Sequence, residues 1–141
     1  MDYREIAEEL LLLRMEAFGQ ERRNAHSTRG EDGALLWLYL HDGKAIAGSL
    51  AKALSLTSGR IANILKQLET KGFITRSANS EDRRRINVLL TQSGQDYIRR
   101  LYEEDLDTCS RLLEKLGKTD AQEYLRISRE ITEVSLRDRK R

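Results

Sequence analysis

Three consecutive arginines, Arg83, Arg84 and Arg85, follow Glu81-Asp82 and run directly into the apolar stretch Ile86–Leu90. Guanidinium groups clustered in a polar loop have no core to serve, and their fixed donor forks suit phosphates and base edges. The chemistry on offer is delivery of cations into a nucleic-acid groove from the tip of a β-hairpin. A second polar set lies upstream: Ser58, Gly59, Arg60, Asn63, Lys66 and Gln67 interleave with Ile61, Ile64, Leu65 and Leu68. On a helix these polar residues share the face opposite the apolar stripe. Arg60 and Asn63 have the forks that suit guanine and adenine, while Ser58 and Lys66 suit phosphates. Gly59 lowers helix propensity by about 1 kcal/mol relative to alanine, which fits a close approach of backbone to DNA.

Charge is distributed to match. The chain carries a net +2, but Lys44 to Arg85 holds nine basic residues against three acidic ones, a net +6 that leaves −4 for the flanks. Positive potential is thus concentrated in one segment beside an acidic remainder, as a DNA contact surface requires.

These residues must be positioned by helices and a hairpin. Proline is absent, which favours long uninterrupted helices. Ile6, Leu10, Leu13 and Ala17 recur at helical spacing and predict a first helix from Tyr3 to about Arg23. Residues 24–33, polar and with two glycines, read as a connector, followed by a helix over 34–41 that Asp42-Gly43 ends. Ala45 to Leu54 reads as a short helix and Ser55-Leu56 as a tight break. Thr57 is then the N-cap of a helix over 58–71 that Gly72 stops in a left-handed conformation, with Phe73 supplying the accompanying apolar contact. Residues 73–77 and 86–90 are the hairpin strands, with Asn79 and Ser80 in the turn.

Thr91 caps a long helix to about Leu116, with Ile98, Leu101, Tyr102, Cys109, Leu112, Leu113 and Leu116 on one face. Gly117 ends it, and Thr119 to Gln122 has the form of a capping box for a last helix striped by Tyr124, Ile127, Ile131 and Val134. The tail from Arg137 reads as frayed. The terminal stripes approach the spacing of a helix–helix seam and lack a partner in the compact middle, so a homodimer is expected.

Helix, tight turn, helix and basic-tipped hairpin make a winged helix-turn-helix. The fold class expected is mainly α with a small β-hairpin wing, flanked by N- and C-terminal dimerisation helices. As one unit of 1–141, residues 32–91 form the winged part, and 1–24 with 95–141 the dimerisation helices. The second helix would lie in the major groove and the wing would reach the minor groove.

At this point the chain resembles the MarR (multiple antibiotic resistance repressor) family of bacterial winged-helix regulators. The resemblance is carried by residues 50–57, by 64–74, and by Asp82-Arg83-Arg84 followed by Leu90-Thr91-Gln92-Ser93-Gly94. It implies that Arg84 enters the minor groove and that Asp82 orients it. It also implies a cytoplasmic homodimeric repressor on double-stranded DNA with a pseudo-palindromic operator, released by a small aromatic or phenolic effector. Phe18, Trp37 and Leu40 are candidates for that effector's pocket. The chain departs from the pattern at Ser55, where the turn often carries glycine.

Other chemistries find little footing. There is no phosphate-binding glycine loop, no Cys/His pair at a telling spacing and no serine in a nucleophile-elbow setting, so an enzyme is not expected. His26 and His41 are the only histidines, too few for a metal site, and no cofactor is implied. Cys109 lies on an apolar stripe, whereas peroxide-sensing relatives place their reactive cysteine in the first helix. No apolar run approaches the roughly 20 residues that span a bilayer, so no membrane partner is expected. The rival reading is a winged helix that serves as a protein-interaction module.

Overall fold

The computed structural model describes residues 1–18 and 27–140, with side chains placed at 1–15, 30–138 and 140. Its elements are α1 (Tyr3–Phe18), α2 (Ser27–Leu40), β1 (Lys44–Ile46), α3 (Ala47–Ala53), α4 (Ser58–Thr70), β2 (Ile74–Ala78), β3 (Ile86–Leu90), α5 (Gln92–Leu116) and α6 (Lys118–Arg139). Contacts divide the chain into two compact units, Arg22–Leu101 and Met1–Glu21 with Tyr102–Arg141.

In the first unit, Ala34, Leu35 and Leu38 of α2 are buried with Leu50 and Ala51 of α3, and Ile61, Ile64, Leu65 and Leu68 of α4. Ile74, Val88 and Ile98 complete that core. The stripe predicted for α4 is therefore the face the core holds. Gly72 stops α4 at φ 78°, and Phe73 N donates to Leu68 O at 2.9 Å, the two marks of a left-handed cap.

The sheet is antiparallel in the order β1-β3-β2, with Lys44 opposite Leu89 and Ile74 opposite Leu90. β1 corrects the sequence reading, which placed Ala45 and Ile46 in a helix. The hairpin leaves one edge of β3 open, and Lys44–Ile46 satisfies its backbone groups before α3 starts at Ala47. A three-residue strand has too little pattern to read.

A second correction concerns residues 27–33. Expected as a connector, they are the first half of α2, with Gly30 and Gly33 inside the helix. Packing overrides glycine's low propensity here. Lys71 Nζ donates to Glu31 Oε1 at 2.8 Å, and Tyr97 Oη donates to Asp32 Oδ1 at 3.0 Å, which ties this turn to the end of α4 and the start of α5.

The second unit packs Ile6, Ala7 and Leu10 of α1 with Leu106 and Leu113 of α5 and Ala121 and Leu125 of α6. Arg129 donates to both Glu9 carboxylate oxygens, at 2.9 and 2.6 Å, and Arg4 Nη2 to Glu103 Oε2 at 2.8 Å. Leu106, absent from the predicted α5 stripe, is wholly buried, whereas Leu112 and Leu116 are exposed. The helix starts differently too. Gly117, at φ 93°, caps α6 with no side-chain bond, so Thr119 sits inside the first turn and the capping box does not form. Arg137 and Asp138, expected to fray, remain helical. The end predicted for the first helix, 19–23, lies outside the described residues.

Candidate nucleic-acid interface

α4 is presented by the turn that precedes it. Ser55 adopts φ 55°, and Leu56 N donates to Ala51 O at 2.9 Å. A serine thus holds the left-handed conformation that glycine takes at lower cost, roughly 1–2 kcal/mol for a residue with a Cβ. Thr57 is the N-cap, its Oγ1 accepting from Arg60 N at 3.1 Å.

With one face of α4 in the core, Ser58, Gly59, Asn63, Lys66 and Gln67 project to solvent as predicted. Arg60 differs. It is half-buried, and its Nη2 stands 3.5 Å from where a Cβ would be at Gly30 of α2. At Gly59 a Cβ would meet nothing within 4 Å, so no contact inside the chain requires that glycine.

The wing tip is organised by two side chains. Asn79 Oδ1 accepts from the backbone N of Glu81 at 2.9 Å and of Asp82 at 3.1 Å, which turns the chain after β2. Asp82 Oδ1 then accepts from Arg84 N at 3.0 Å and Arg84 Nε at 3.4 Å, while its Oδ2 lies 3.7 Å from Arg85 Nε. Arg85 N donates to Asp82 O, and Asn79 N to Arg85 O, both at 3.0 Å, so the tip closes on itself. Arg83 and Arg85 are exposed, and the Arg84 side chain is 93% exposed while held at its base by Asp82. A charged group aimed outward from a bonded base loses little on meeting an anion.

Not every cation of the basic segment is available in this way. Arg76 Nη2 on β2 donates to Glu69 Oε1 of α4 at 3.0 Å, a bond that holds the Glu69 carboxyl below the usual carboxylate range. Lys71 is engaged by Glu31, which is buried. These pairs join wing to α4 and α4 to α2, and sequence reasoning missed both. Neither partner stands at a telling spacing, since Glu31 and Lys71 are 40 residues apart.

Thr91 caps α5 as predicted, but sequence reasoning missed its tie back to the end of α4 and the role of Gly94. Thr91 Oγ1 donates to Gly72 O at 2.7 Å and accepts from Gly94 N at 3.0 Å, while Thr91 N donates to Phe73 O at 3.0 Å. A Cβ at Gly94 would overlap the Phe73 carbonyl oxygen. The Leu-Thr-x-x-Gly pattern is thus a structural clamp, which locks the start of α5 against the end of α4.

With this geometry in view, residues 28–86 match the MarR family. That span runs from the start of α2 through the wing tip. The solved structure of MarR superimposes with a TM-score of 0.64 at 25% identity, covering 93% of this chain and 88% of that one. Residues 28–86 carry a MarR-family domain. An S. aureus MepR–DNA complex is also similar, with a TM-score of 0.60, 26% identity, and coverage of 87% and 89%. Among curated relatives, the uncharacterized HTH-type transcriptional regulator YfiV of Bacillus subtilis (strain 168) is 38% identical over 77 residues. The match spans 55% of this chain and about half of that relative, 46%.

The remaining candidates fall as follows. The Phe18 side chain and His26 lie outside the described residues. Trp37 is half-buried against the winged-helix core and stacks on His41, ring centroids 3.9 Å apart and 9° from parallel. His41 Nδ1 donates to Trp37 O at 2.7 Å, and Leu40 is half-buried. Cys109 is half-buried on the α1–α5–α6 core, and burial pushes its thiol pKa up, which disfavours the reactive thiolate. Among the described residues no group of His, Cys, Asp or Glu is arranged to hold a metal ion, and no helix is long and apolar enough to cross a membrane.

Proposed function

We propose that this chain is a sequence-specific transcriptional regulator of double-stranded DNA, acting as a homodimer on a pseudo-palindromic operator and serving as a repressor. The observation that carries the reading is that one unit presents two polar probes. The outward face of α4 supplies Ser58, Asn63, Lys66 and Gln67, and the wing supplies Arg84 on its Asp82 base. A helix face suits the major groove and a lone projecting guanidinium the narrow minor groove.

The dimer rests on a separate observation. Tyr124, Ile127, Ile131 and Val134 of α6 are 55, 42, 48 and 49% exposed, with Leu112 and Leu116 of α5 also open. A two-fold pairing would cover such a stripe and set two α4 helices on half-sites about 34 Å apart. Release by a small aromatic molecule belongs to the same reading, as the family resemblance implies. Loss of the gel-shifted DNA complex on adding phenolic acids tests it.

The deciding experiment compares Arg84→Ala with Arg60→Ala across a salt series. Arg84→Ala should weaken binding to all duplexes and shrink the salt slope by about one ion. Arg60→Ala should relax discrimination at one or two positions by about 1–3 kcal/mol. Asp82→Ala should behave as a weaker Arg84→Ala. If Arg84→Ala binds as tightly as the parent at every salt concentration, a protein-interaction module is the better reading.

A further inference from the structure

In α2, a Cβ at Gly30 would stand 3.1 Å from Ile64 Cδ1 and 3.5 Å from Arg60 Nη2. A carbon contact of 3.1 Å lies inside the optimum for packed atoms, so even a methyl group there requires Ile64 to give by a few tenths of an ångström. Ile64 is 3% exposed within the core shared by α2, α3 and α4, where close packing leaves it little room to retreat. The far end of α4 is tied to the next residue of α2, Glu31, through Lys71. Displacing Ile64 therefore shifts α4 itself, and with it Arg60 one turn earlier. Gly33 lies on the same helix and supplies a contrast, because a Cβ there would meet nothing within 4 Å.

We propose that Gly30 is a specificity-determining position. Its bare Cα seats the recognition helix at the depth, and Arg60 with the aim, at which the base pair is read. The inference rests on the DNA-reading function proposed above. Helix propensity runs the other way, since alanine favours α2 at both glycines. A loss of discrimination on Gly30→Ala would therefore not come from a weaker helix.

The test begins with a duplex that the full chain selects from a randomised pool. Binding to that duplex and to its single-base-pair substitutions is measured for the parent, Gly30→Ala, Gly33→Ala, Arg60→Ala and the double variant Gly30→Ala/Ile64→Val. Thermal melts are recorded alongside. Ile64→Val deletes the Cδ1 atom that the new methyl would meet. Gly30→Ala should lose about tenfold in discrimination at the base pairs that Arg60→Ala also relaxes. Gly33→Ala should keep parental discrimination, and the double variant should recover it. Uniform loss of affinity for every duplex, full discrimination in Gly30→Ala, or no recovery in the double variant would each overturn the proposal. Should Gly30→Ala melt early, the double variant decides by whether it discriminates as the parent does. A parent that selects no duplex removes the DNA-reading function and this inference together. A parent that discriminates, matched by an unchanged Gly30→Ala, removes only the inference.

Discussion

α4 and α6 carry nearly the same apolar signature and use it in opposite ways. Ile61, Ile64, Leu65 and Leu68 of α4 are 4% exposed or less, whereas Tyr124, Ile127, Ile131 and Val134 of α6 are all more than 40% exposed. α6 still packs within its own chain, but through Ala121, Leu125 and Thr132 on another face. Periodicity tells which residues share a face; it does not tell which face meets the chain's own core. On α4 only one face is apolar, so the assignment is unique. On α6 Ala121, Leu125 and Thr132 turn inward, and Tyr124, Ile127, Ile131 and Val134 are left for a second surface.

The comparison breaks most visibly at Leu68, which is 1% exposed. Leu68→Ala should cost about 2–5 kcal/mol of unfolding free energy, read by denaturant titration at any protein concentration. On α6 the corresponding insult should act through association. Ile127→Glu with Ile131→Glu is expected to convert a dimer to a monomer in sedimentation, and to remove the concentration dependence of the melting temperature. A parent that sediments as a monomer at micromolar concentration would end the contrast.

A smaller effect separates the helix starts. Thr57→Ala removes the bond to Arg60 N and should cost about 1 kcal/mol, while Thr119→Ala, inside the first turn of α6, should leave the melting curve unchanged. The smallest effect is electrostatic. Arg76 lowers the Glu69 carboxyl, so their pairing is present above the ordinary carboxylate range and is lost as pH falls through that lowered value. Glu69→Gln should flatten the acid limb of the stability profile slightly, since Glu69 is exposed and Arg76 partly so, and solvent screens the pair.

Much of the winged-helix unit was legible because its local chemistry and its packing agree. Thr57, the α4 stripe, Gly72 and the bounds of β3 each follow from residues that have one use where they stand. The parts that were not legible depend on distant partners. β1 exists only because β3 has an open edge, and the first half of α2 is helical despite two glycines because Glu31 and Asp32 find Lys71 and Tyr97. At the candidate interface, the polar face of α4 and the arginine tip were readable as residue types. The half-burial of Arg60 against α2 was not, because it depends on a glycine thirty residues earlier that carries no signal of its own.

The stacked pair at the end of α2 gives the molecule an optical property. Trp37 is the chain's single tryptophan, and its indole lies face to face with the imidazole of His41. That contact survives only while the last turn of α2 is formed, because His41 is held by the Trp37 carbonyl four residues back. Fluorescence excited at the indole band therefore reports, without any label, on the helix end that leads through Asp42 and Gly43 into β1.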